Sequence, residues 1–231
     1  MIDGEPNREN IEDERLQELF CPTLESAGGA HEVRRIWSRP AQLVPSCTLT
    51  PADLEYVRSK ALDALGKIPQ DWYTYRVCLW IALAAGCIDD TWFSICREAM
   101  EITRGEKISD DHGRALSDTI TIFGHIGDVQ SLEILERATT REYWGAGFRS
   151  RVISRDPARA VASMQTGALY AIALSKPELA IPVLRRIGER FPDKHPHAQR
   201  NEEYRFEVGA GFAVELFISE CTDRLNASKK P

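Results

Sequence analysis

The chain has 231 residues with a net charge of −6 and a pI near 5.5. Strong non-specific binding to nucleic acid needs many Lys and Arg side chains facing phosphates, so the overall balance argues against it. Hydrophobic residues are 43% and charged residues 28% of the chain, the usual proportion for a globular protein with its own core.

The first residues, "MIDGEPNRENIEDERLQ", are acidic and lack an apolar centre, which predicts no secretory signal. Residues 1–49 read as an acidic, partly disordered segment, with disorder expected over 1–9 and one short helix in "IEDERLQELF". Gly28, Gly29, Pro40 and Pro45 punctuate the rest of it as loop. Alternating Val/Ile/Thr runs bounded by hairpin turns are missing, so few strand signals compete with the helical ones that begin near residue 50.

"LTPADLEYVRSKALDALG" offers Thr50 as a cap, Pro51 for the first helical position and Asp53 for the positive end of the helix dipole. Leu54, Val57, Ala61, Leu62 and Leu65 follow helical spacing, and Gly66 is suited to end the helix. Asp71 opens a second helix through "VCLWIALAAGCI", residues 77–88. That apolar run is shorter than the roughly 20 residues that cross a bilayer, and it reads as a buried helix.

Asp90 opens a third helix with Trp92, Ile95, Cys96 and Ala99 on one face and Gly105 as its stop. Asp110 or Asp111 caps a fourth, with Leu116, Ile120 and Phe123 facing inward. In "FGHIGDVQSLEIL" Gly127 ends that helix, Asp128 caps the next, Gly124 permits close approach, and His125 sits in the last turn near free carbonyls. The fifth helix uses Val129, Leu132, Leu135 and Ala138.

Asp156 and Pro157 open another helix with Val161, Met164, Ala168 and Ile172 as its stripe. Pro177 opens the next, and Pro182 inside it removes a backbone hydrogen bond. "NEEYRFEVGAGFAVELFISECTDRL" is helical in pattern, with Gly209 and Gly211 as potential interruptions. The expected organisation is the N-terminal segment 1–49, an α-helical repeat domain over 50–226 and a disordered tail at 227–231.

Three stretches can be laid over one another: "LWIALAAGCIDDTWFSICREA", "ITIFGHIGDVQSLEILERA" and "GALYAIALSKPELAIPVLRRI". Each is an apolar helix, a tight turn and a second helix with an apolar pair near its middle, at offsets of about 39 and about 49 residues. The bend and second helix resemble HEAT-type repeats, in particular those of phycobilisome-lyase-like proteins, whose pattern runs roughly L-G-x-(I/L)-G-D-P-x-A-(I/V)-P-x-L.

Gly124, Ile126, Gly127, Asp128, Leu132 and Leu135 match in one copy, and Pro177, Ala180, Ile181, Pro182 and Leu184 in the other. The first copy lacks both prolines and the second lacks the glycines and the aspartate. The resemblance covers about residues 71–190. It implies an all-α fold of stacked antiparallel helix pairs, a short HEAT-like α-solenoid with a right-handed superhelix. Such stacks leave extended concave surfaces that grip other macromolecules.

The most distinctive polar stretch is "ERATTREYWGAGFRSRVISRDPAR", residues 136–159. Six arginines face only Glu136, Glu142 and Asp156, with aromatic residues between them. Arginine with aromatics is the composition of interaction hot spots, and it also suits phosphate contact and base stacking. The candidate binding residues are Arg141, Tyr143, Trp144, Phe148, Arg149, Arg151 and Arg155. The plain alternative is that Trp144 and Phe148 pack into the core while the arginines form solvated helix faces.

"SDDHGR" places Asp110, Asp111 and His112 together, either for acid–base chemistry or as a first-turn charge cluster. His195 and His197 near Asp193 would hold a metal only with a further ligand. Glu203, Glu207, Gly211, Glu215 and Ser219 fall at steps of four and read as one solvated stripe. None of the six cysteines, Cys21, Cys47, Cys78, Cys87, Cys96 and Cys221, forms a C-x-x-C pair, so buried free thiols in a reducing cytoplasm are expected.

No phosphate loop, dinucleotide fingerprint or H-E-x-x-H occurs, and no cofactor or metal is implied. The expected function is a non-catalytic binding or scaffold module. It would recognise a protein or acidic partner rather than nucleic acid or membrane, in an oligomeric state the sequence leaves open. The rival is an enzyme on the same repeats, of the DNA-base glycosylase or chromophore-lyase type, with Asp110, Asp111, Tyr143 and Trp144 as candidates. The acidic tail at 1–18 is a further candidate to compete for the arginine segment.

Overall fold

Thr50 and Asp53 begin the first long helix as the sequence dictates. The Thr50 hydroxyl accepts from the Asp53 N–H at 3.2 Å, and the Asp53 carboxylate accepts from the Thr50 N–H at 3.1 Å. This reciprocal box satisfies two donors that a helix start otherwise leaves open. The structure is a computed structural model that describes residues 6–20, 48–102, 109–144, 157–190 and 205–228.

All regular structure among the described residues is helical. A 3-10 turn at Arg8–Asn10 precedes α1 (Glu14–Leu19), α2 (Pro51–Gly66), α3 (Trp72–Ala84), α4 (Thr91–Ile102) and α5 (Asp110–Ile126). Then come α6 (Val129–Ala138), α7 (Arg141–Trp144), α8 (Pro157–Leu174), α9 (Pro177–Arg190) and α10 (Arg205–Ala227). None of the described helices is long and apolar enough to cross a membrane.

The chain forms two compact units. The first comprises residues 1–103 and 111–122, the second residues 104–110 and 123–231, and α5 contributes to both. In the first unit α3 is the core: Trp72 and every residue from Tyr75 to Ala84 are buried. The Asp71 carboxylate caps it, accepting from the Thr74 N–H at 3.0 Å. Val57, Ala61, Ala64 and Leu65 of α2 pack on it, while Leu62 is 45% exposed although it shares their helical spacing.

Trp92, Ile95, Cys96 and Ala99 of α4 are buried as their periodicity predicts. The α4 start is held by Asp89 rather than Asp90, because the Asp89 carboxylate reaches the Thr91 N–H at 3.0 Å. Asp110 and Asp111 are first-turn residues of α5, not its cap, since the helix begins at Asp110 itself.

The described part of the N-terminal segment, residues 6–20, contributes to the first unit's core. Ile11, Leu16 and Phe20 are buried. Asp13 caps α1, accepts from the Tyr56 hydroxyl at 2.9 Å, and pairs with Lys60 at 2.8 Å. Residues 6–9 fall in the stretch 1–9 where composition alone predicts disorder, and Asn7 among them is tied down by Tyr73. Its hydroxyl donates to the Asn7 carbonyl at 2.9 Å and accepts from the Asn7 N–H at 3.2 Å. Asp13 and Arg15 of the acidic tail thus have partners within their own unit, the latter pairing with Asp53 at 3.2 Å.

In the second unit α8 packs against α6, α9 and α10, and α9 packs against α6 and α10. Gly124 sets the closest approach: a Cβ there would sit 2.6 Å from the Ala171 carbonyl oxygen and 3.0 Å from its Cα. Ser175 fastens the same spot, its hydroxyl lying 3.2 Å from the carbonyl oxygens of both Gly124 and Ala171. Gly127 then turns the chain with φ +59, the left-handed region that glycine tolerates, and Asp128 caps α6 through the Ser131 N–H at 2.6 Å.

The α6 stripe buries Leu132, Leu135 and Ala138, whereas Val129, on the same spacing, is 57% exposed in the first turn. Val161, Met164, Ala168 and Ile172 of α8 are buried. α9 carries Pro182 inside it, and α10 continues through Gly209 and Gly211. Gly105 and Asp156 lie outside the described residues.

Gly124→Ala tests the close approach. The added methyl meets backbone on α8 rather than a flexible side chain, so the unit must open. Thermal or urea unfolding is expected to show a loss of about 1–3 kcal/mol, the usual cost of overpacking. A neutral effect would show that α5 and α8 separate easily there.

Candidate functional site

The carboxyl end of α6 presents carbonyl oxygens that a helix leaves open. Each of the last ones has a donor. Leu135 O takes the Thr139 N–H at 3.1 Å, and Glu136 O takes the Thr139 hydroxyl at 2.6 Å. Arg137 O takes the Thr140 N–H at 2.9 Å and hydroxyl at 2.7 Å. Ala138 O accepts the Trp144 indole N–H at 2.8 Å, and Thr139 O accepts the buried Gln165 amide of α8 at 2.9 Å. Trp144 therefore folds α7 back over the end of α6.

Arginines surround this end. Arg137 and Arg141 are exposed, and the Arg137 guanidinium lies 5.5 Å from the centre of the Tyr143 ring. Tyr143 in turn meets Trp144 edge-on at 5.1 Å and 84°. On α9, Arg186 and Arg190 both reach the Glu136 carboxylate: Arg186 as a fork at 2.7 and 3.3 Å, Arg190 at 2.9 Å. The Glu136 side chain is 19% exposed, against 55% and 38% for the two arginines. One carboxylate thus holds two guanidiniums with their outer faces in water. The Glu136 hydrogen bonds also hold Arg186 above its usual basicity.

Of the candidate residues, Arg141, Tyr143 and Trp144 are brought together here, with both aromatics half-buried. Phe148, Arg149, Arg151 and Arg155 lie outside the described residues, as do His195 and His197. Sequence reasoning missed Arg186, Arg190, Glu136 as their common acceptor, and Gln165. The pair at one helical turn in "RRIGER" was visible, but its acceptor lies 50 residues away.

Of the Asp110, Asp111 and His112 cluster, Asp111 and His112 belong to the first unit, and the Asp110 side chain lies outside the described residues. His112 is 7% exposed and stacks on Trp72 at 3.9 Å between ring centres, with planes 5° apart. Burial lowers its pKa to about 4, so the imidazole is neutral at pH 7. Asp111 pairs with Arg114 at 3.3 Å and lies 3.8 Å from Arg76.

Arg76 itself is buried and donates to Asp118 at 2.8 Å, and the Trp80 indole donates to the same oxygen at 3.2 Å. Burial raises the Asp118 pKa from its ordinary value, against the opposing pull of Arg76 and Trp80. These groups bind one another across α3 and α5, an arrangement suited to fixing the helices in register. Burial likewise raises the thiols of Cys78, Cys96 and Cys221, and Cys96 is pushed up to about 12, so none of them is a ready thiolate. Among the described residues no group of His, Cys, Asp and Glu has the arrangement of a metal site.

His112 makes stability depend on pH. Its folded pKa of about 4 lies below the ordinary 6.5, so the unfolded chain binds the proton more readily between those values. Stability is then fully present above about pH 6.5 and is lost as pH falls toward 4, by up to roughly 3 kcal/mol for this ring. His125 adds a loss of the same sign, its pKa also lowered to about 4 by burial. His112→Phe keeps a flat ring on Trp72, and urea unfolding from pH 7 to 4.5 is expected to show a shallower decline than the parent chain. An unchanged decline would contradict the assignment. Comparison of the chain with protein-family models, curated proteins and solved structures finds no match.

Proposed function

We propose that the chain is a short HEAT-like α-solenoid acting as a non-catalytic binding module, and that the arginine surface at the end of α6 receives an acidic protein partner. The observation that carries this reading is the end of α6, where Arg186 and Arg190 share the largely covered Glu136 carboxylate, Arg137 lies over the Tyr143 ring, and Arg141 is exposed beside it. Arg186 and Arg190 are held by Glu136 and Arg137 by the Tyr143 ring, with their outer faces open to solvent. Pre-ordered side chains lose less freedom on binding, so more of each charge contact appears as affinity. Arginine beside tyrosine and tryptophan supplies both the charge and the apolar anchor common at interaction hot spots.

The repeat reading is supported by how equivalent helices meet in the second unit. α5 touches α8 at Gly124 and Ala171, just before the turns that end each helix. α6 touches α9 through Glu136, Arg186 and Arg190. First helix on first and second on second is the contact pattern of stacked helical hairpins. The turns are short: Gly127 and Asp128 separate α5 from α6, and Ser175 and Lys176 separate α8 from α9.

The test is a charge reversal of Arg137→Glu with Arg141→Glu, both exposed and outside the core. Affinity capture from the native cell, at low salt, should lose the acidic partner by at least about tenfold while helicity is unchanged. Capture of the same proteins in equal amounts would remove this surface from the reading. Retention on DNA at low salt, lost in the same variant, would replace the protein partner by nucleic acid.

A further inference from the structure

We infer that α10 carries a docking face for a second copy of this chain, whose arginine surface receives it. The inference rests on the proposed arginine surface and names the acidic partner as another copy of the same protein.

α10 packs on α8 and α9. Away from them it exposes Leu216 to 50%, and beside it Tyr170 of α8 is 41% exposed. Tyr170 meets Phe217 edge-on at 5.8 Å and 70°, which fixes a small aromatic ridge next to Leu216. Leu216, Glu220 and Asp223 follow one another at steps of four and three, so they share a helix face, and both acids are exposed. Neither makes an ion pair among the described residues.

Arg224, one turn after Glu220, directs its guanidinium to backbone oxygens instead. Its guanidinium donates to the carbonyl oxygens of Ala173, Leu174 and Ser175 at the end of α8. The ridge is therefore apolar at its centre, with two acids along one side that form no ion pair among the described residues.

That charge decides how two copies meet. A symmetric pairing of α10 on α10 with its axis near Glu220 and Asp223 would set those acids against each other, which is unfavourable on desolvation. The complementary surface is the end of α6, where Arg137 lies over the Tyr143 ring with Trp144 against it and the exposed Arg141 beside them. The two faces are different patches of one chain, so the contact is heterologous and leaves an acidic face and a basic face unused at opposite ends of each pair.

Light scattering on the full chain tests this. At low salt the mass is expected to rise above 26.0 kDa with concentration and to return to one chain as salt screens the charges. Glu220→Gln with Asp223→Asn should weaken association by at least about tenfold, and so should Arg137→Gln with Arg141→Gln. Mixing the two variants restores one complementary contact, so the mixture should associate and stop at two chains. A mass of one chain at every concentration overturns the inference, as does association that survives both pairs of substitutions or a mixture that stays monomeric. A monomeric chain that still captures an acidic protein through its arginines would remove the second copy as partner and leave the arginine surface standing.

Discussion

The contact of Gly124 with Ala171 is the constraint on which the second unit depends. Backbone meets backbone there without room for a Cβ, and Ser175 bonds to both sides of the contact. The close approach brings α5 and α8 together just before their turns. Gly127, at positive φ, then reverses the chain, and the Asp128 cap starts α6 in a direction that the turn has already set. Everything later in that helix, including the carbonyl end that carries the arginines, inherits its position from that turn.

Helix ends recur as places where long-range order is made. The α6 end is closed by the Trp144 indole and the Gln165 amide, one from the segment that follows and one from α8. The α8 end is closed by the Arg224 guanidinium from α10. In both cases a donor distant in sequence satisfies carbonyls that the helix itself leaves open, and in doing so fixes a neighbouring element. The arginine surface is a consequence: with the backbone groups of the bend already paired, Arg137 and Arg141 are left facing water.

Local chemistry was legible in the sequence. Thr50, Asp71 and Asp128 cap the helices that their position predicts, and Gly124 and Gly127 do what a tight bend requires of glycine. Leu62 and Val129 obey helical spacing and are nevertheless exposed, because periodicity names a face but not how far a neighbour extends along it. Asp90 loses the cap to Asp89, one residue earlier, where the carboxylate reaches the free N–H.

The site was half legible: Arg141, Tyr143 and Trp144 stood out by composition, but the Trp144 bond to Ala138 and the gathering of Arg186 and Arg190 on Glu136 depend on packing between helices. Asp111 and His112 looked reactive by type and are held by Arg114 and Trp72, contacts that only the fold creates.

A pre-formed arginine surface requires that α7 be fixed to the end of α6, and the Trp144 indole proton reports that directly. Its hydrogen exchange, followed by NMR and assigned by the resonance missing from a Trp144→Phe variant, is expected to be slowed to the range of the α6 amides. Exchange as fast as that of a solvent-exposed indole would mean that the bond to Ala138 does not hold, and that Arg141, Tyr143 and Trp144 are carried by a segment with no fixed place.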